Sequence, residues 1–136
     1  MTEVNLPEEV HNWLFYAEED YQSAEIMFRE RFYNKVCFFS QQCVEKILKA
    51  YLLFHQQPLL RTHKIVDLLS CATQKGIVFK QFEEEALALD RYYIPTRYPD
   101  AVIGSLPEGL PGKSHAAEAK EAAFRILEFV KSKLLP

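Results

Sequence analysis

The sequence predicts an all-α protein, an up-and-down antiparallel helical bundle of four main helices plus a shorter helix. Three observations lead there. Apolar residues recur in steps of three and four along most of the chain, the repeat of one helix face. Glycine is scarce, at four residues in 136, which disfavours a turn-rich β fold. Hydrophobic residues make up 49% and charged residues 26%, ordinary values for one globular unit, so residues 1–136 read as a single domain.

The first helix reads from Pro7 to Arg29. Pro7 suits a helix start, and Glu8 and Glu9 favour the positive end of the dipole. Val10, Leu14, Ala17, Tyr21, Ala24 and Phe28 form one apolar stripe, with Trp13 and Met27 at its edge. Tyr33 and Asn34 read as a turn, Asn34 as the N-cap of a second helix from Lys35 to His55. Its expected core side is Val36, Phe39, Cys43, Ile47, Ala50 and Phe54, flanked by Val44, Leu48, Tyr51 and Leu52. The short connection implies an antiparallel hairpin.

Gln56, Gln57 and Pro58 end that helix. Thr62 is the expected cap of a third helix carrying Ile65, Leu68, Leu69 and Ala72, which stops at Gly76. A fourth spans Phe79 to Tyr92, with a solvated first turn at Glu83, Glu84 and Glu85. A Pro-rich loop follows at 94–113, with four prolines and three glycines, a length that in a compact domain is usually functional or disordered. Ser114 then caps a last helix with Ala119, Ala123, Ile126, Val130 and Leu134 on its core side.

Charge and cysteine usage narrow the function classes. The net charge is −3, so a polyanion site would have to be local rather than a general basic coat. Cys37, Cys43 and Cys71 are odd in number and lack a CxxC spacing. No signal peptide precedes them, so they read as buried thiols of a cytoplasmic protein. No apolar run approaches the ~18 residues of a membrane span. No HExxH, CxxC or Gly-rich phosphate loop is present, and neither a metal nor a cofactor is expected.

Three polar groups stand apart from the stripes. On the second helix Gln42, Lys46 and Lys49 share a face, and Glu45 and Lys49 form an i,i+4 pair; spacing alone favours a solvated face with one weak ion pair. Arg61, Thr62, His63 and Lys64 stand where a third helix starts, either as a phosphate site or as a capped helix with a surface histidine. Tyr92, Tyr93, Arg97, Tyr98 and Asp100 combine aromatics with an arginine stiffened by Pro95 and Pro99. Such a segment could stack a base and clamp a phosphate, or simply pin the loop. His11 and His115 read as exposed helix-end residues.

Taken in order, these segments resemble the HEPN family, small helical proteins named for nucleotide binding in higher eukaryotes and prokaryotes. The resemblance runs from Trp13 to Leu134. It rests on Trp13, Ala17, Asp20 and Ala24, on Phe39-Ser40-Gln41-Gln42-Cys43-Val44-Glu45-Lys46-Ile47-Leu48-Lys49-Ala50, on Thr62-His63 with Leu68-Leu69, and on Tyr92-Tyr93-Ile94-Pro95-Thr96-Arg97-Tyr98-Pro99-Asp100. It implies a helical bundle, often a homodimer, commonly partnered with a minimal nucleotidyltransferase, as in toxin–antitoxin-like pairs. Some members are metal-independent ribonucleases that use an arginine followed, four to six positions on, by a histidine. Here none of Arg61, Arg91, Arg97 and Arg125 has a histidine at that spacing. The proton-transfer group is missing from its usual place.

The resemblance therefore implies a nucleotide-binding or nucleotidyltransferase-partner module, non-catalytic by itself. Its expected ligand contacts are Gln42, Glu45, Lys46, Lys49, His63, Tyr92, Arg97, Tyr98 and Asp100. The alternative is a ribonuclease or toxin acting on RNA through Arg97 and His63 across the fold. A homodimer is also expected, because Phe15, Tyr16, Phe32, Phe38 and Tyr51 exceed what one stripe per helix needs.

Overall fold

The structure is a computed structural model that describes residues 6–93 and 110–135. Three long helices dominate: α1 (Glu8–Arg29), α2 (Tyr33–Phe54) and α5 (Lys113–Leu134), each of 22 residues. Between them lie α3 (Ile65–Thr73), a 3-10 segment (Ile77–Phe82) and α4 (Glu83–Asp90). The fourth long helix expected from Phe79 to Tyr92 is thus split, with a tighter 3-10 turn leading into eight α-helical residues.

Cross-helix contacts fix the directions. Lys46 meets Asp20 while Lys49 sits over Trp13, so α1 and α2 run antiparallel. Lys131 meets Glu18 while Lys120 sits over Phe28, so α5 also opposes α1. Arg125 meets Glu85 while Phe129 packs on Phe79 and Phe82, so α4 opposes α5. The result is an up-and-down bundle in which α2 and α5 both oppose α1 and pack against each other. They pack closely because small residues line their faces: Ala50 and Ala123 are fully buried, as are Ala17 and Ala24 on α1.

α2 is the central helix. Val36, Cys37, Cys43, Val44, Ile47, Leu48 and Ala50 are fully buried, with α1, α3 and α5 around them. Burying a side chain the size of Ile47 or Leu48 is worth about 1.5–3 kcal/mol. The stripe expected on this helix is shifted: Phe54 is exposed and Phe39 only half-buried. Tyr51, expected as surplus surface, is buried against Phe79 at 4.5 Å between ring centroids. α2 meets neighbours on several sides, so a single-face reading misplaces its flanking residues.

The helix ends differ from expectation in kind. Asn34 lies inside α2, and Phe32 is its N-cap. α1 and α2 each close with a left-handed residue, Arg31 at φ 66° and Gln56 at φ 61°. Arg31 N–H bonds Phe28 O and Phe32 N–H bonds Met27 O; Gln56 N–H bonds Leu53 O and Gln57 N–H bonds Leu52 O. Both are Schellman closures built without glycine. At α5 the N-cap is Gly112 rather than Ser114, and its N–H bonds His115 Nδ1 at 3.1 Å. His115 is therefore half-buried capping apparatus, not a free surface histidine.

Candidate functional site

The site grows from polar residues that α2 buries. Gln41 is fully buried, and Glu45 and Lys49 are 5% and 6% exposed. Buried polar groups persist when paired, and these are. Lys49 Nζ lies 2.9 Å from Glu45 Oε2 and sits over the Trp13 ring at 5.5 Å. Gln42 Nε2 donates to Gln41 Oε1 at 2.6 Å, which orients the Gln41 amide so that its own Nε2 donates to His63 O at 2.9 Å. Gln42 Nε2 also lies 3.5 Å from Glu45 Oε1. Glu45 Oε2 is 3.2 Å from His63 Nδ1. Two neighbouring turns of α2 thus hold His63 by its backbone and by its ring.

His63 belongs to the irregular stretch between α2 and α3. Its ring stacks on Tyr93, with centroids 4.8 Å apart and planes within 15°. Together with Arg61, Thr62, Lys64 and Asp90 these two rings line an open groove of about 620 Å³. That volume lies within the range of small-molecule sites. Arg61 and Lys64 are exposed and form no ion pair among the described residues.

The start of α3 does not hold an anion site of the kind expected. The Asp90 carboxylate, from the end of α4, accepts Ile65 N–H at 2.6 Å and Val66 N–H at 3.1 Å. The helix N-terminus is therefore already filled by the protein's own anion. Burial pushes the Asp90 carboxyl above its ordinary range, opposed by those two N–H donors. Thr62 is not the cap of α3: its Oγ1 accepts the Lys64 N–H at 3.1 Å and donates to Asp67 Oδ2 at 3.2 Å.

Of the expected ligand contacts, the structure brings Gln42, Glu45, Lys49 and His63 into one network. Lys46 stands apart, 2.6 Å from Asp20 Oδ2. Burial raises the Asp20 carboxyl, against the pull of Lys46. Lys46 and Lys49 are both committed to carboxylates, and Lys49 is buried, so neither is a free phosphate ligand. Tyr92 is 1% exposed within the core, which removes it as a stacking face; Tyr93, one residue on, is the ring at the groove. Arg97, Tyr98 and Asp100 lie outside the described residues, as does most of the 94–113 loop.

Gln41, Trp13, Asp20, Tyr93 and Asp90 were not among the expected contacts. Gln41, Trp13, Asp20 and Tyr93 lay within the segments that carry the resemblance, and Asp90 had no sequence signal of its own. They matter through partners far away in the chain. No group of three or more His, Cys, Asp or Glu side chains among the described residues is arranged to hold a metal ion. None of the described helices is long and apolar enough to cross a membrane.

A helical bundle with a polar network buried on its central helix and a histidine at a groove defines a HEPN-type module. The HEPN domain model matches residues 10–133, and the chain belongs to the HEPN domain family. It is 28% identical over 124 residues to MJ1304, a candidate toxin of Methanocaldococcus jannaschii, covering 85% of this chain and 81% of that one. Among solved structures it resembles TT1696 from Thermus thermophilus, at 35% identity and TM-score 0.83 over 94% of this chain and 100% of that one. It also resembles ST0689, an archaeal HEPN homologue, at 33% identity and TM-score 0.74, covering 94% and 99% of the two chains.

Proposed function

We propose that the chain is a nucleotide-binding HEPN module, non-catalytic by itself, that works beside a minimal nucleotidyltransferase in a toxin–antitoxin-like pair. The observation that carries the binding half is the groove in which Arg61, Lys64 and the stacked His63–Tyr93 pair converge over the Glu45–Lys49 network. Arg61 and Lys64 supply phosphate contacts in place of the neutralised Lys46 and Lys49. The paired rings offer an aromatic face to a base. The pairing half draws on the family and on the toxin name of the M. jannaschii relative.

Calorimetric titration with ATP and GTP is the direct test. Binding that weakens at least tenfold in an Arg61→Ala/Lys64→Ala variant supports the reading. Absence of heat up to millimolar nucleotide, with or without Mg²⁺, refutes it. Co-purification with a nucleotidyltransferase encoded alongside tests the partnership separately.

One observation favours a second reading, a metal-independent ribonuclease: a buried carboxylate oriented on a groove histidine is the arrangement of a general base. Cleavage of tRNA or mRNA in EDTA, lost in Arg97→Ala and in His63→Ala, would establish it. A homodimer remains part of the proposal. Phe15 and Tyr16 are both 53% exposed and packed edge to face, and Phe32 is 56% exposed. A monomer by light scattering at micromolar concentration would rule it out.

A further inference from the structure

His63 is held by an unusual combination, a carboxylate whose charge is already balanced. Glu45 Oε2 lies 2.9 Å from Lys49 Nζ and 3.2 Å from His63 Nδ1, with Glu45 and Lys49 both buried. Lys49 and Gln42 take up part of the accepting capacity of the Glu45 carboxylate. What the remaining carboxylate lone pairs require is a hydrogen-bond donor. A neutral imidazole meets that need only by carrying its proton on Nδ1. Free imidazole side chains are under no such constraint. Gln41 adds a second restraint by fixing the His63 carbonyl at 2.9 Å, and Tyr93 holds the ring plane from the side.

We infer that Glu45 is a positioning residue that locks neutral His63 in its Nδ1–H tautomer, so that Nε2 faces the groove as a hydrogen-bond acceptor. The chemical consequence is a division of labour inside the groove. Arg61 and Lys64 take the anionic part of a ligand, and His63 Nε2 takes a donor, a hydroxyl or an amine. A dianionic phosphate oxygen on Nε2 would meet lone pair against lone pair. The site therefore selects ligands that carry a phosphate and, apart from it, a hydroxyl or amino donor. This inference rests on the groove proposed above as the ligand site, but the tautomer is a property of the unliganded protein.

The test is long-range ¹H–¹⁵N correlation of the histidine rings in ligand-free protein, at a pH where imidazole is neutral. The His63 signals are assigned by their loss in His63→Asn. The expected spectrum shows a protonated Nδ1 and a bare Nε2; a protonated Nε2 overturns the inference, whatever the protein binds. Glu45→Ala is expected to release the tautomer toward Nε2–H. If that variant fails to fold around the stranded Lys49, Glu45→Leu/Lys49→Met removes the whole pair and serves the same purpose. AMP is then titrated into the wild type. A shift of His63 Nε2, with about a tenfold weaker response in the tautomer-released variant, supports the donor assignment. AMP that binds without moving Nε2 overturns it. No AMP binding at all, with the expected tautomer in place, refutes the ligand groove and the donor assignment but leaves the Glu45 lock standing.

Discussion

The carboxylate of Asp90 accepts the backbone N–H of Ile65 at 2.6 Å, across 25 residues of sequence. With the second bond, to Val66, it joins the end of α4 to the start of α3, on the lining of the groove that holds His63 and Tyr93. Asp90→Ala should strand two N–H donors at a half-buried helix end. We expect a loss of about 1–2 kcal/mol in urea denaturation. A change within error would show that water replaces the carboxylate freely. The pH dependence follows from burial, which raises the Asp90 carboxyl. Between its unfolded value of 3.8 and its raised folded value, the folded protein binds more proton than the unfolded one. This contribution to stability is full below the unfolded value and lost as pH rises through the folded one. Wild type should therefore gain on Asp90→Asn when pH falls from 7 to 4, and a constant difference would contradict the assignment.

Arg31 and Gln56 occupy left-handed backbone at the two Schellman closures. A side chain with a Cβ is strained there, and glycine is not. Arg31→Gly and Gln56→Gly should each stabilise the protein by about 0.5 kcal/mol, the relief of strain being partly offset by a floppier unfolded chain. Thermal melts of the single and double variants check this, the two sites being far enough apart in sequence and environment for their effects to add. Destabilisation by either would mean that the Arg31 or Gln56 side chain holds its turn through contacts of its own.

The helix ends are less legible in the sequence than the helices themselves. The long helices and their apolar stripes were legible because the repeat of Val10, Leu14, Ala17, Tyr21 and Ala24 is a local property. Their ends were not, because the signal for a left-handed cap is glycine or asparagine, and the chain uses arginine and glutamine. The α3 start differs from the Thr62 cap expected for a related reason. A local threonine was visible, whereas Asp90 reaches Ile65 only after the chain has folded back. In the site, the residue types on α2 and the Glu45–Lys49 i,i+4 pair were legible, whereas the burial of that pair and the partners on other elements were not. Lys46 and Lys49 look alike in the sequence, yet one faces Asp20 on α1 and the other is buried beside Glu45. Tyr92 and Tyr93 are adjacent aromatics, and the turn that follows α4 decides which enters the core.

The three thiols should differ sharply in reactivity. Cys37 and Cys43 are fully buried, and burial pushes the Cys37 thiol up to about 12 and the Cys43 thiol up as well. Cys71, on α3, is half-buried. Only the thiolate attacks a disulfide reagent, so at pH 8 the native protein should release one equivalent of aromatic thiol quickly. The other two should react only as fast as the bundle opens, and all three at once in denaturant. Rapid reaction of two or more native thiols would indicate that α2 is far less protected than its packing implies.

The Glu45–Lys49 pair yields the sharpest stability test, because both side chains are only 6% and 7% exposed. Removing Lys49 leaves the buried Glu45 carboxylate without its permanent counter-charge, beside only Gln42 and His63. Lys49→Met should accordingly cost about 3 kcal/mol, even though methionine fills much of the same space above Trp13. Replacing both, as Glu45→Leu/Lys49→Met, removes the charges together and should cost no more than about 1 kcal/mol. The double variant should fold and melt cooperatively while losing the restraint on His63, which separates what the pair does for stability from what it does for the groove. Urea denaturation of the two single variants and the double completes the cycle. Single losses that simply add to the double would show that the two charges are solvated independently, and the buried network on α2 would then have no claim to hold the site.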